Sequence, residues 1–576
     1  MVIRQQQICY RMTWRRFLKK TFLLVIGIAL LIKAIFDKQI GVDEGWGRGK
    51  VFVLTLGLVC IFAALFGLLF QNKYAEFKKY ILAFIDEHFN KSTQIIFISI
   101  TATVFVIATY IWFAQPSARN AHDSYNYYSE QAIAFKSGNL YLGTKPSREL
   151  LSLENPYDYV LRKQANIEDF PWDVSLYEGK FYMYWGPAPS LILTIFSEKQ
   201  LSHIDDTQIA LVFASGLFLY AMLIISTSWN ARRQRIPVWM LWICLLAVAF
   251  ATPITVMLKD SRIYEASIFG CQFFFIGGCY WIYSAANDNQ PKLWKLALGS
   301  IHWALAAGTR ITIAPVILFT SLATLIYFFR INKGSSLKLY FKIAAVLGIP
   351  ILLAGAGLSW YNWARFGDVL EFGITYQLTN VDYNTFSSSF SESYIQGNLY
   401  NYLIHPFKLS TRFPYITRVE YLPSNDRMSG FIYLTPYVLL LFAIPLIRLL
   451  NNIKKTRPSF QEQETREIPK NSGNWLINIF TGSTLISMTL ILSFYFVTMR
   501  YIADFMPSLV LWTTIQLGQE FRRVNRTNIS WRILLGVTVV LTIFTITSNI
   551  LVAIPQSGVV YAIDLINSFS KLAGFK

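Results

Sequence analysis

Charged residues are scarce in this chain of 576 residues: Asp, Glu, Lys and Arg make up 15% of it, against 54% hydrophobic residues. A water-soluble core cannot hide that much apolar surface, so lipid must solvate part of the chain, and an ordinary soluble protein is excluded. There are only five histidines, and none forms a ligand-spaced pair, so no zinc site is indicated. Cys9 lies in a basic N-terminus, and Cys60, Cys244, Cys271 and Cys279 lie inside apolar runs. None falls in a long hydrophilic segment, which removes a disulfide framework from consideration. Walker loops, GxGxxG fingerprints, HExxH helices and GxSxG elbows are all missing, so nothing points to nucleotide hydrolysis.

The formal charge of +19 would suggest nucleic acid in a soluble chain. Here the basic residues sit mostly in short loops between apolar runs, where they set orientation instead. Aromatic residues reach 16%, and many Trp and Tyr flank the apolar runs as interface belts do.

With a ruler of about 20 residues per span, candidate membrane helices are Thr21 to Phe36, Val51 to Phe70, Gln94 to Ala114, Thr207 to Thr227, Pro237 to Leu258 and Ala266 to Ala285. Leu296 to Phe329 is too long for one helix and is expected to hold two, turning near Gly308-Thr309-Arg310. Ile343 to Trp360, Phe431 to Leu450, Trp475 to Val497, Phe505 to Leu517 and Leu534 to Ile554 follow. The expected architecture is therefore an all-α polytopic membrane protein of about 13 helices. The N-terminal Arg4, Arg11, Arg15, Arg16, Lys19 and Lys20 place that end in the cytoplasm, and alternation brings every other strongly basic loop to the same side. Two long hydrophilic segments, 115–202 and 362–429, then fall outside. Loops of that length are usually functional.

Four constellations could carry chemistry. His122-Asp123-Ser124-Tyr125 precedes a helical stretch, so Asp123 reads either as a general base toward a hydroxyl or as an N-cap. Trp172-Asp173 through Lys180, Phe181 and Tyr182 has turn chemistry at Glu178-Gly179 between two strand-like aromatic runs. Its rings suit a sugar face, a lipid groove or an interfacial belt. Lys259-Asp260-Ser261-Arg262-Ile263-Tyr264-Glu265 lies at an outer membrane boundary. There it could pair with a phosphate, bind a divalent cation jointly with Asp123, or simply neutralise itself in a solvated loop. Arg310, Arg365 and Arg500, the last beside Tyr501, are isolated outer arginines that suit an anionic head group or snorkel from helix ends.

These motifs together resemble the GT-C superfamily of polytopic glycosyltransferases, bacterial members included. The likeness rests on Asp123 followed by Tyr127, Tyr128, Ala132, Ala134 and Gly138-Asn139-Leu140, on Gly308-Thr309-Arg310-Ile311-Thr312, on Trp360 to Gly367, and on Arg500-Tyr501…Asp504…Pro507. The resemblance implies an inverting transfer of a sugar from a polyprenyl-phosphate carrier to a glycan, lipid or protein acceptor at the periplasmic or extracellular face of a bacterial inner membrane. It makes Asp123 the base and Glu265 or Asp260 a second acid. Arg310 and Arg500 would hold the carrier phosphate, with Lys259 or Arg262. Tyr125, Asp173, Lys180, Tyr182, Tyr264, Arg365 and Tyr501 are further substrate-binding candidates.

The superfamily usually places its acid after the first span, whereas Asp123 follows the third, and it stands alone where an acidic pair is common. An added N-terminal hairpin, 1–93, accounts for the first difference. The catalytic module is then 94–518, and 519–576 forms a last loop, helix and tail. The rival expectation is a transporter or flippase of a lipid-linked saccharide, which would need charges at mid-span or repeats with broken helices. Few such charges and no repeat occur.

Overall fold

The computed structural model describes residues 28, 91–114, 126–167, 169–230, 238–259, 261–288, 290–386, 388–409, 415–421, 426–445, 472–523 and 529–554. The chain divides into two compact units. One comprises Met1–Gln94, Phe407–Arg418 and Leu551–Lys576. Its described part includes an antiparallel ladder of Phe407–Leu409 with Ile416–Arg418. The other, Ile95–Pro406 with Val419–Ile550, holds every described residue discussed below as a candidate for function.

Helix dominates, and among the described residues seven helices are long and apolar enough to cross a membrane. They are Ser92–Phe113, Asp206–Trp229, Ile263–Asn287, Ile311–Ile331, Leu337–Phe366, Ser472–Leu492 and Ser530–Ala553. Each answers to one of the expected spans. The first two expected spans lie outside the described residues, apart from Ile28. The run from Pro237 breaks at Ala251–Pro253 into helices Val238–Phe250 and Ile254–Lys259, because Pro253 has no N–H to continue the ladder. Pro436–Pro445 is likewise a shorter apolar helix. The long run does divide where expected: one helix ends at Thr309, Arg310 is extended at φ −152°, and Ile311 opens the next.

Among the boundaries that differ from expectation, two take polar residues into a helix. Ile263–Asn287 begins early enough to take Tyr264 and Glu265 into its first turn. Leu337–Phe366 runs on through Asn362 and Arg365, which the hydropathy pattern assigns to a loop. In both cases polar side chains find buried partners, and a hydropathy window counts only their polarity.

Ile263–Asn287 is the most enclosed of the seven, packed between Asp206–Asn230 and Leu293–Thr309. The approach is close enough that Trp303 lies across the backbone at Gly278 and donates its indole N–H to the Phe275 carbonyl at 3.2 Å. By contrast, Leu337–Phe366 leaves most of its surface open, including Phe341, Leu352, Leu353 and Trp360. A helix apolar all round and covered on one side only is solvated at least cost by hydrocarbon.

The two hydrophilic segments meet. Ser175–Tyr177 pairs antiparallel with Lys180–Tyr182 around the expected Glu178–Gly179 turn, whose residues both have positive φ (47° and 70°), as a tight two-residue hairpin requires. The same strand docks on residues from the second segment. Leu176 N–H donates to the Tyr376 carbonyl at 2.8 Å, Leu378 N–H to Val174 at 2.8 Å, and Ser175 Oγ–H to Gly373 at 2.7 Å. Arg162, fully buried, donates to the carbonyls of Pro156 and Thr379.

Past the hairpin, Gly186 N–H donates to the Thr309 carbonyl at 3.2 Å. A Cβ at position 186 would collide with the Gly308 carbonyl, so only glycine lets the backbone touch the turn that carries Arg310. Gly186→Ala is expected to lower stability by about 1–3 kcal/mol, read as melting in detergent. Gly348→Ala, inside a helix and facing open space, serves as the control and is expected to be neutral or mildly stabilising.

Candidate functional site

Three stretches far apart in sequence bring ionisable groups to one place: Asp173 before the hairpin, Tyr264–Glu265 at a helix start, and Arg500–Asp504 in a short 3-10 turn. Arg310, at the break between two helices, joins them through Asp504.

The firmest contact is the ion pair of Arg310 with Asp504. Nη1 lies 2.7 Å from one carboxylate oxygen and 3.0 Å from the other. Burial pulls the Arg310 guanidinium down, and Asp504 beside it more than reverses the effect, so the arginine stays charged. The Asp504 carbonyl accepts from Gln272 Nε2 at 2.9 Å, which ties the turn to the central helix.

Asp173 has a left-handed backbone (φ 61°), a costly state for a residue with a Cβ. It is held there by its N–H donating to the Leu378 carbonyl at 3.1 Å and by Gln377 Nε2 donating to its own carbonyl at 3.3 Å. Its Oδ2 accepts the Tyr264 hydroxyl, while Oδ1 is buried and closes no hydrogen bond. Burial pushes the carboxyl above the usual aspartate range; the bond from Tyr264, the nearby Thr379 hydroxyl and the charges of Arg500 and Arg162 pull back part of that rise.

Arg500 lies over the Tyr264 ring at 4.4 Å and near the Tyr501 ring at 5.8 Å. Its Nε is buried with no hydrogen-bond partner. Burial lowers the Arg500 guanidinium, and Tyr501, Glu265 and Tyr264 together more than restore it. Glu265 accepts the Arg262 N–H at 2.9 Å, so part of its carboxylate serves the helix N-terminus. Around these groups stand aromatic rings. Trp185 meets Tyr264 edge-on at 5.5 Å and Tyr127 at 5.4 Å, Tyr184 is pushed up by burial, and Tyr383 and Tyr495 share a hydrogen bond of 2.9 Å.

The structure thus gathers Asp173, Tyr264, Glu265, Arg310, Arg500 and Tyr501. Asp123, Tyr125 and Asp260 lie outside the described residues. Lys259 and Arg262 flank the start of the central helix. Arg365 sits in another group, where its donors are taken by the carbonyls of Met183 (2.5 Å) and Tyr361 (3.3 Å) and by Asn362 Oδ1 (2.8 Å), with the Tyr361 ring 3.8 Å away. That arrangement ties a helix end to the hairpin. Tyr182 packs on Phe366 in the same group, and the exposed Lys180 lies over Tyr141.

The role of Asp504 is legible only in space, although a lone acid between apolar runs marks it as a group needing a partner. Tyr184, Trp185 and Gln272 carry no such signal. Among the described residues no group of three metal-ligating side chains occurs.

Two outcomes follow from this geometry. Arg310→Met leaves the part-buried Asp504 unpaired, a loss of about 1–3 kcal/mol in detergent melting, and adding Asp504→Leu recovers most of it; equal losses in single and double variants would contradict the ion pair. The raised Asp173 carboxyl favours the folded state below the ordinary aspartate value of 3.8 and loses that contribution as pH rises through its folded value. Melting temperature followed against pH should therefore show Asp173→Asn gaining on the wild type as pH rises from 4 toward neutrality. Compared with known protein families, curated proteins and solved structures, the chain matches none.

Proposed function

We propose that this protein is an integral membrane glycosyltransferase that moves a sugar from a polyprenyl-phosphate carrier to an acceptor, with inversion at the anomeric carbon. The observation that supports the reading best is Arg500. Its guanidinium is half-buried, is braced on tyrosine rings and closes no hydrogen bond among the described residues, and it lies over Tyr264 at the start of a long apolar helix that also carries Glu265. A phosphate oxygen is a natural acceptor for the terminal N–H groups of such a guanidinium, and an apolar flank beside it admits a lipid tail.

In this reading the acceptor oxygen bonds to the anomeric carbon as the bond from that carbon to the carrier phosphate breaks. The proton of the acceptor hydroxyl passes to Asp123. Arg500 stabilises the charge that grows on the departing phosphate. Arg310, with Nη1 already held by Asp504, contributes field more than contact. The surrounding tyrosine and tryptophan rings suit the faces of a sugar. The same proposal includes about 13 spans, a cytoplasmic N-terminus, an active site on the external face and a GT-C-like module.

Lipid mass spectrometry on cells carrying the wild type, no protein, Asp123→Asn or Arg500→Ala tests this. Accumulation of one polyprenyl-phosphate sugar in all three deficient strains, at equal protein levels, is the expected result and identifies the donor. If the strain without protein accumulates a lipid-linked oligosaccharide while both variants behave as wild type, the protein is a transporter instead.

A further inference from the structure

The cluster contains an acid that the reaction as written does not use. Asp173 is buried on both sides of its carboxyl: one oxygen is occupied by Tyr264 and the other has no exposed surface. It cannot touch a substrate in this arrangement, so its part in the chemistry must run through Tyr264.

Asp173 is also among the most firmly held residues of the loop. Its backbone is fixed in the left-handed region by hydrogen bonds on both sides to Gln377 and Leu378, and Ser175 Oγ–H extends the docking to Gly373. Tyr264 stands at the second position of its helix, and of the contacts on its side chain the bond to Asp173 is the one that fixes the hydroxyl end. The bond to Asp173 fixes the ring with one face toward Arg500, and the Trp185 edge supports it at 5.5 Å. An acceptor on a phenol hydroxyl also enriches the ring in electrons, which strengthens its hold on a guanidinium.

That hold matters because Arg500 has a competing partner. Glu265, adjacent to Tyr264, acts on Arg500 through its charge, yet among the described residues Arg500 closes no ion pair. A guanidinium released from the ring would be drawn toward that carboxylate and lose its open edge. Arg310 shows the alternative outcome, a guanidinium committed to its acid. We infer that Asp173 and Tyr264 are positioning residues that hold Arg500 on the Tyr264 ring, away from Glu265, so that its guanidinium stays available to an anionic phosphate.

This inference rests on the reading of Arg500 as the phosphate grip, and the test separates the two. Purified full-length protein in an uncharged maltoside detergent is titrated with dodecyl phosphate, following the thermal shift. Arg500→Ala is expected to abolish the shift. Tyr264→Phe, which keeps the ring and removes only the tether, is expected to weaken binding about tenfold; it also leaves the buried Asp173 carboxyl without its donor, so its unliganded melting falls and binding is read as the ligand-induced shift from each variant's own baseline. Asp173→Leu should weaken it similarly, and the double variant no further, while Asp173→Asn, which still offers an acceptor oxygen, should bind within about twofold of wild type. If Arg500→Ala binds as wild type, the phosphate-grip reading falls and takes this inference with it. If Arg500→Ala loses binding but Tyr264→Phe does not, the positioning inference alone is wrong. Should Asp173→Leu fail to fold, the Tyr264→Phe result still decides.

Discussion

The part-buried ion pair between Arg310 and Asp504 is the constraint from which the candidate site follows. Arg310 occupies the break between two helices, and Asp504 closes a 3-10 turn that leads into a third. Neither charge can be left alone in a low-dielectric interior, so the pair permits one register among these segments. Gln272 extends that register to the central helix, and the Gly186 contact extends it to the hairpin. With Arg310 in place, Tyr501 and Arg500 have little freedom in where they lie.

Against this frame the two arginines of the site differ in kind. Arg310 spends its charge on an acid and contributes to architecture, whereas the half-buried Arg500 is held by rings, which take none of its hydrogen-bond donors. Arg365 resembles Arg310 in outcome, with carbonyls and an amide in place of a carboxylate. An isolated arginine beside an apolar run is therefore three different things in one protein, depending on which acceptors the fold brings to it. The same holds for the acids. Glu265 caps a helix, Asp504 pairs, and Asp173 binds a phenol.

The helix break at Arg310, the hairpin turn at Glu178–Gly179 and most of the long apolar helices were legible in the chain, because each depends on residues near one another. Turn residues demand positive φ locally, and a spanning helix satisfies its own backbone. The early start of the central helix and the extension through Arg365 were not legible, since hydropathy scores a polar residue without regard to its partner. The site itself was visible as a set of suspects: Asp173, Tyr264, Glu265, Arg310, Arg500 and Tyr501 all stood out as polar groups beside apolar runs. Nothing in their spacing distinguished them from Arg365, Lys180 or Tyr182.

Composition and pattern alone determined that much of this chain is apolar helix, where those helices run, and which polar residues lie at their ends. The reason is that the hydrophobic effect and backbone hydrogen bonding act on contiguous sequence. Only the tertiary structure decided which arginine finds a carboxylate and which finds a ring, and that Asp173 and Tyr264 meet at all. Those outcomes depend on distances between residues some 90 to 190 positions apart, and electrostatic and hydrogen-bond energies are set by such distances and by local dielectric, neither of which is written in the order of the residues.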